Sequence, residues 1–75
     1  MTRSDVQEIL DEVLYGQQTY SVVYVYTRFQ VVRLEQDANG KFPAFTLSDS
    51  MLCLERPAGC QWVSLDGIVL ITADI

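Results

Sequence analysis

The spacing of apolar residues near the start of the chain predicts an amphipathic helix. Five of them recur at helical spacing and form a single stripe: Val6, Ile9, Leu10, Val13 and Leu14. Ser4 and Gln7 match a capping box ahead of this stripe, and Gly16 follows it at a position that suits a helix C-terminus. We therefore predict a helix from Asp5 to Tyr15, with an acidic face turned towards solvent.

After this helix the apolar period changes to two, which predicts a long strand over residues 19–36. The residues on one face are Tyr20, Val22, Tyr24 and Tyr26, and those on the other include Val23 and Val25. Neither face is polar, so we expect both to be covered. At about 3.3 Å per residue the segment would extend roughly 60 Å, so it has to bend or divide near Thr27 and Arg28.

Turn signals divide the rest of the chain into shorter strands. Asn39-Gly40 predicts a two-residue type I′ hairpin with its tip at residues 37–41. The predicted strands after it are residues 41–47, 51–55, 60–65 and 68–73. Pro43 cannot donate a ladder hydrogen bond, which assigns the first of these strands to a sheet edge or a bulge.

The two strands around the turn at residues 56–59 allow a register to be predicted. If Glu55 lies opposite Cys60, then Cys53 lies opposite Trp62 and Leu52 opposite Val63. The core side would hold Leu52, Leu54, Val63 and Leu65, and the other side Met51, Cys53, Cys60 and Trp62. The two cysteines are then diagonal neighbours, which favours free thiols over a disulfide.

One helix followed by about five antiparallel strands makes this an α+β chain that is mainly β, in a single domain of residues 1–75. With so many short strands in so few residues, a small closed or half-open barrel of SH3-like shape is the compact solution. A helix packed on an open antiparallel sheet is the alternative.

The apolar content is high for so short a chain. Hydrophobic residues make up 49% of the 75 residues, and the mean hydropathy is +0.14. Because a domain of this size buries only about 60–65% of its unfolded surface, exposed strand edges and apolar area would remain on a monomer. We therefore expect a homo-oligomer, with a protein partner as a further possibility, and place the interface at Tyr24, Tyr26, Ile68 and Leu70.

Charge argues against a nucleic-acid partner. Five Lys and Arg residues against ten Asp and Glu residues leave a net charge of −5, which repels a phosphate backbone. RNA binding would have to rely on Arg28, Arg33 and Lys41. With no signal-like or membrane-spanning apolar run, we expect a cytoplasmic protein without a membrane partner.

The chain offers little catalytic chemistry. It has no histidine and no glycine-rich phosphate loop. Cys53 has only Arg56 nearby in sequence to activate it, which favours a structural thiol. Asp49 and Asp66 stand in turns, where aspartate serves backbone hydrogen bonding. We predict a non-enzymatic protein with no catalytic residue, no cofactor and no metal.

The order of elements carries a family resemblance. A helix is followed by a long bent strand pair with the tip "DANGK", then by "FTLSDSMLCLE" and a closing "WVSLDGIVLI". This order resembles the Sm-like family, which includes the Hfq proteins. The resemblance covers nearly the whole chain and implies an Sm-like barrel subunit that joins its neighbours through exposed strand edges into a dimer or ring.

The residues that hold a uridine base in that family are not matched. Members place an Asp and then a Met-Asn pair in the second and third strands, and a basic element before the last strand. Here Asp49 and Met51 stand closer than that pattern, Leu52 occupies the place of the Asn, and Asp66 precedes Gly67.

Two functions therefore stay open. The first is a protein-interaction or assembly module that acts through its acidic helix and strand edges. The second is a diverged Sm-like RNA-binding protein that uses its few cations together with aromatic stacking. The acidic composition favours the first.

Overall fold

The computed structural model describes residues 1–75 as one helix and six antiparallel strands in two sheets. The elements are α1 Arg3–Tyr15, β1 Val22–Thr27, β2 Val31–Glu35, β3 Phe45–Leu47, β4 Met51–Arg56, β5 Gly59–Ser64 and β6 Ile68–Asp74. A short 3₁₀ helix, Leu65–Gly67, links β5 to β6. Sheet A has the strand order β2-β1-β6 and sheet B the order β3-β4-β5. The prediction of an α+β fold that is mainly β is confirmed.

Helix α1 begins two residues before the predicted start and uses a different cap. The Thr2 hydroxyl accepts a hydrogen bond from the Asp5 N–H at 3.2 Å, and the Thr2 N–H donates to the Asp5 carboxylate at 3.4 Å. The predicted box of Ser4 and Gln7 is not used, because the Gln7 amide donates to Asp11 instead. Two cap patterns overlap in the sequence, and the earlier one has a charged acceptor, which makes the stronger bond.

The predicted long strand divides at Thr27, as its length required. The Thr27 hydroxyl accepts from the N–H groups of Phe29 and Gln30, at 3.2 and 3.0 Å, and donates to the Gln30 carbonyl at 2.9 Å. A side-chain hydroxyl therefore shapes this turn, where glycine, proline and asparagine are absent. β1 and β2 pair across it as an antiparallel hairpin, which makes β1 the central strand of sheet A.

The predicted type I′ hairpin at Asn39-Gly40 is wrong. Gly40 has a positive φ of 76°, but no non-glycine residue does, whereas a type I′ turn needs two such positions. The Asp37 carboxylate shapes the turn instead, by accepting from the N–H groups of Asn39 and Lys41 at 2.8 and 3.0 Å. The segment crosses from sheet A to sheet B rather than joining two paired strands.

Strand β3 is correspondingly shorter than predicted. It begins at Phe45 rather than at residue 41, and it lies at an edge of sheet B. Pro43 stands before the strand, since it has no N–H to donate to a ladder.

The register predicted for β4 and β5 is confirmed. Glu55 pairs with Cys60, Cys53 with Trp62, and Leu52 with Val63. The four residues assigned to the core side are all buried: Leu52, Leu54, Val63 and Leu65.

The helix and both sheets enclose one core of eleven buried residues, all of them hydrophobic. They are Val6, Leu10, Val23, Val25, Val32, Leu34, Leu52, Leu54, Val63, Leu65 and Ile68. Arg56 connects the sheets at the edge of this core, since its guanidinium donates to the Gln61 side chain on β5 and to the Arg33 carbonyl on β2. No polar or charged side chain is buried, so the stability of the fold rests on apolar packing.

Candidate interaction surfaces

The outer face of sheet A is an apolar surface that the strand pairing leaves uncovered. Val23 and Val25 point into the core, so their neighbours on β1 point outward together with their cross-strand partners. We call this surface the aromatic face, and its central residues are Tyr24, Tyr26, Val31, Arg33, Leu70 and Thr72. The prediction that both faces of β1 are covered therefore holds within the monomer for one face only.

The pairing arranges the aromatic face in rows across the three strands. Tyr26 lies between Val31 and Leu70, which are 52% and 49% exposed. The next row holds Tyr24 between Arg33 and Thr72. The Tyr24 and Tyr26 rings are 6.3 Å apart between centroids, within the range of favourable aromatic pairs.

Arg33 is the cation at the centre of this face. Its guanidinium carbon lies 6.0 Å from the Tyr24 ring centroid, and the side chain forms an ion pair with Glu35 on the same strand. The third row, Glu35, Val22 and Asp74, ends the face in two carboxylates. The face therefore combines apolar, cationic and anionic rows in sequence.

Three of the four predicted interface residues meet on this face. Tyr24 and Tyr26 are half-buried and Leu70 is exposed. Ile68 is 2% exposed and belongs to the core, so its proposed place at an interface was wrong. A register irregularity between Tyr26 and Thr27 interrupts the alternation of β6, which a period-two pattern does not reveal.

Residues that were not among the predicted interface positions extend the surface. Val31 and Arg33 join it through their pairing with β1. Phe29, in the turn between β1 and β2, is 95% exposed. The sequence showed only that Phe29 is a hydrophobic residue in a stretch without typical turn residues. Its exposure follows from the division of the long strand, which places it in a turn.

Two of the three cations considered for RNA binding, Arg33 and Lys41, line one cleft, and Arg28 lies apart from it. Arg28 lies in the turn after β1 and Arg33 on the aromatic face. Lys41 lines a cleft of about 640 Å³ between the two sheets, together with Arg33 and Arg56. The carboxylates of Glu35, Asp37 and Glu55 line the same cleft, so its charges balance.

The Asp37 carboxylate of this cleft accepts hydrogen bonds from backbone N–H groups of its own turn. The N–H groups of Lys41 and Asn39 lower the pKa of Asp37 below its ordinary value by hydrogen bonding to the ionised form.

The outer face of sheet B carries the two cysteines and the tryptophan. Cys60 and Trp62 are exposed and Cys53 is half-buried, so helix α1 does not cover this face. Both thiols are free. Partial loss of hydration raises the pKa of Cys60, and the neighbouring Cys53 thiol raises it further. A raised pKa leaves less of the reactive thiolate at neutral pH.

The residues considered for catalysis lie in unrelated surroundings. Cys53 and Arg56 point to opposite faces of β4, because they are three residues apart on one strand. Asp49 is exposed and lies 3.5 Å from Arg3, and Asp66 is exposed in the 3₁₀ helix. No group of three or more Cys, Asp or Glu residues is placed to hold a metal ion.

Helix α1 has neither the length nor the apolar character needed to cross a membrane. No family model, curated protein or solved structure matches this chain.

Proposed function

We propose that this protein is a non-enzymatic assembly module that associates with copies of itself through the aromatic face and its open strand edges. The observation that carries the proposal is the aromatic face. Tyrosine and arginine are enriched at protein interfaces, and here they stand among partly exposed Val31 and Leu70.

Self-association fits the charges on this face. Arg33 stands in its middle row, and Glu35 and Asp74 end it. The face thus carries one cation and two carboxylates, and a second copy would offer a carboxylate to Arg33. A nucleic acid would meet those carboxylates with its phosphates and be repelled.

The strand edges supply a second element of the proposal. Each sheet of three strands has two edge strands, and these are β2 and β6 in sheet A and β3 and β5 in sheet B. Unpaired N–H and C=O groups on an edge are a template for another strand. We propose that pairing between copies uses β2 or β6, the edges of the sheet that carries the aromatic face, and so extends sheet A across the interface.

We also propose that the two sheets are the halves of a small Sm-like barrel. Pairing of the first strand with the last supports this, because closing a sheet on itself requires such a pairing. A single core between the sheets supports it as well.

Light scattering over a concentration series tests the self-association, with two variants as a matched pair. Thr72→Glu places a charge in the aromatic face, and Thr46→Glu places the same charge on the outer surface of sheet B. We expect Thr72→Glu to raise the dissociation constant at least about tenfold, because the charge would be buried without a partner, and Thr46→Glu to leave it unchanged. A wild-type chain that stays monomeric to high micromolar concentration would refute the proposal.

A diverged Sm-like RNA-binding protein is the second candidate, and the contact between Arg33 and Tyr24 favours it. Single-stranded RNA is bound by aromatic stacking beside cations. Fluorescence anisotropy with a labelled single-stranded RNA, at about 50 and 200 mM salt, tests it. Salt-sensitive binding that Arg33→Gln abolishes would establish this function, and absence of binding at the lower salt concentration would exclude it.

A further inference from the structure

The turn between β1 and β2 presents an aromatic side chain to solvent on a rigid support. Phe29 is 95% exposed. The turn beneath it is held by the three hydrogen bonds of the Thr27 hydroxyl, and the Arg28 N–H donates to the Gly67 carbonyl at 3.1 Å. Because the backbone of the turn is already held, only the side-chain rotation of Phe29 is lost when it binds, which suits an anchor residue at an interface.

A depression at the end of helix α1 has the size and lining to receive such an anchor. It has a volume of about 530 Å³, within the range of roughly 300–1,000 Å³ usual for ligand pockets. We call it the helix-end pocket, and its apolar lining is Val13, Leu14, Tyr15, Tyr20, Phe42 and Ala44. Tyr15 stacks on Phe45 at 6.2 Å between centroids, which gives the pocket an aromatic wall.

The end of helix α1, which forms one side of the pocket, is complementary in charge to Arg28, the neighbour of the anchor. The last turn of α1 contains Glu12 and no basic residue. The final carbonyls of the helix, from Val13 to Tyr15, accept no hydrogen bond from the chain. This end of a helix attracts cations. Arg28 stands next to Phe29, and its guanidinium forms no hydrogen bond or ion pair within the chain. Lys41 is the one cation in the pocket lining.

The anchor cannot occupy the pocket of its own chain. Phe29 follows the last residue of β1, whereas Tyr20 in the pocket precedes the first, and the strand between them spans about 20 Å. A Phe29 that fills this pocket would therefore belong to a second copy. Phe29 lies in the turn next to the row of Tyr26 and Val31, so it extends the aromatic face at that end.

We infer that Phe29 of one copy inserts into the helix-end pocket of the next, with Arg28 against the end of helix α1. This inference rests on the proposed self-association and adds its geometry. The two contacting surfaces differ, so the contact is head-to-tail, and repeating it produces a closed ring or an open chain rather than a two-fold dimer.

A mixing experiment with two variants tests the inference. Phe29→Ser removes the anchor and keeps the pocket, whereas Ala44→Trp fills the pocket and keeps the anchor. We expect each variant alone to associate at least about tenfold more weakly than the wild type, a loss of about 1.4 kcal/mol. An equimolar mixture should form one head-to-tail contact and give a heterodimer of 17.0 kDa, twice the chain mass of 8.5 kDa.

Native mass spectrometry separates that heterodimer from either homodimer, because the two variants differ in mass. Trp62→Ser, which removes an exposed aromatic side chain from the outer face of sheet B, is the matched control and should associate like the wild type. Circular dichroism checks that Ala44→Trp is folded, and Arg28→Glu weakens the same contact without filling the pocket.

The outcomes separate the two proposals. If the wild type associates and Phe29→Ser associates equally well, or if the mixture forms no heterodimer, the anchor-and-pocket geometry is overturned and self-association stands. If the wild type is monomeric at every concentration, self-association itself is refuted.

Discussion

Replacing Gly16 by alanine should destabilise the protein, although its φ of −76° is one that any residue can adopt. An ideal Cβ at position 16 would lie 2.2 Å from the Glu12 carbonyl oxygen, whereas real Cβ atoms essentially never come within 3.0 Å of such an atom. The chain would have to move by the difference, 3.0 − 2.2 = 0.8 Å, at the end of α1. Such a shift disrupts the 3.0 Å hydrogen bond from the Gly16 N–H to the same oxygen.

The magnitude follows from two opposed effects. Steric displacement with loss of the capping bond costs about 1–3 kcal/mol. The lower entropy of the unfolded alanine chain offsets about 0.4–1 kcal/mol of this. Taking the middle of each range, about 2 − 0.7, we expect a net loss of about 1.3 kcal/mol. Each kcal/mol lowers the melting temperature of a chain this short by roughly 4–8 °C.

Thermal and urea unfolding followed by circular dichroism, at one low micromolar concentration, measures the effect. Gly67→Ala is the matched control, because its Cβ would meet no atom within 4 Å and its φ is not positive. Its stability should lie within about 0.5 kcal/mol of the wild type. A Gly16→Ala variant as stable as the Gly67→Ala control would refute the close contact at the end of the helix.

Three further predictions concern the turn, the thiols and the bridge between the sheets. The pKa of Asp37 is lowered on folding, so its contribution to stability is present above the unfolded value near 3.8 and is lost as the pH falls through the folded value. Asp37→Asn keeps a side-chain oxygen that can accept the hydrogen bonds of the turn but removes the titrating group. The unfolding midpoint should therefore fall less steeply at acid pH than in the wild type. An equally steep fall would contradict a contribution from Asp37. Cys53→Ser should speed alkylation of Cys60 by iodoacetamide at pH 8, because the Cys53 thiol raises the pKa of Cys60, and an unchanged rate would show that the thiols do not interact. Arg56→Met should lower the free energy of unfolding by about 1–2 kcal/mol, because its hydrogen bonds to Gln61 and Arg33 are lost. Lys41→Met is the control and should change that free energy by less than about 0.5 kcal/mol, because the Lys41 ammonium makes no such bond. Equal losses in the two variants would show that Arg56 does not stabilise the contact between the sheets.

Local patterns predicted those elements whose geometry depends on near neighbours. The stripe that contains Val6 and Leu10 identified the helix and its buried side, although the cap lay at Thr2. Strict alternation on both sides of the turn at residues 56–59 was enough to predict the pairing of β4 with β5, down to Cys53 opposite Trp62. Cross-strand neighbours in a tight hairpin are fixed by counting from the turn, so no distant contact is needed.

The candidate surface was less accessible to such reasoning. Tyr24, Tyr26 and Leu70 were predicted from their apolar character, but Arg33 joins them only through the pairing of β2 with β1. Ile68 and Leu70 are two residues apart, so in a regular strand they would share a face, and both are hydrophobic. Ile68 is nevertheless in the core and Leu70 is exposed. The register irregularity at Thr27 and the position of β6 on one edge of sheet A decide between them.

By itself the sequence determined which residues share a face of each strand and that the long segment has to divide. It also determined that the chain is acidic, lacks histidine and has a high fraction of hydrophobic residues for its length. The tertiary structure alone decided which face of β1 is packed inward, that residues 37–41 cross between two sheets, and that Phe29 stands exposed at a turn. The physical reason is that alternation specifies faces only relative to one another. Where both faces are apolar, as around Val23 and Tyr24, long-range packing selects the buried one.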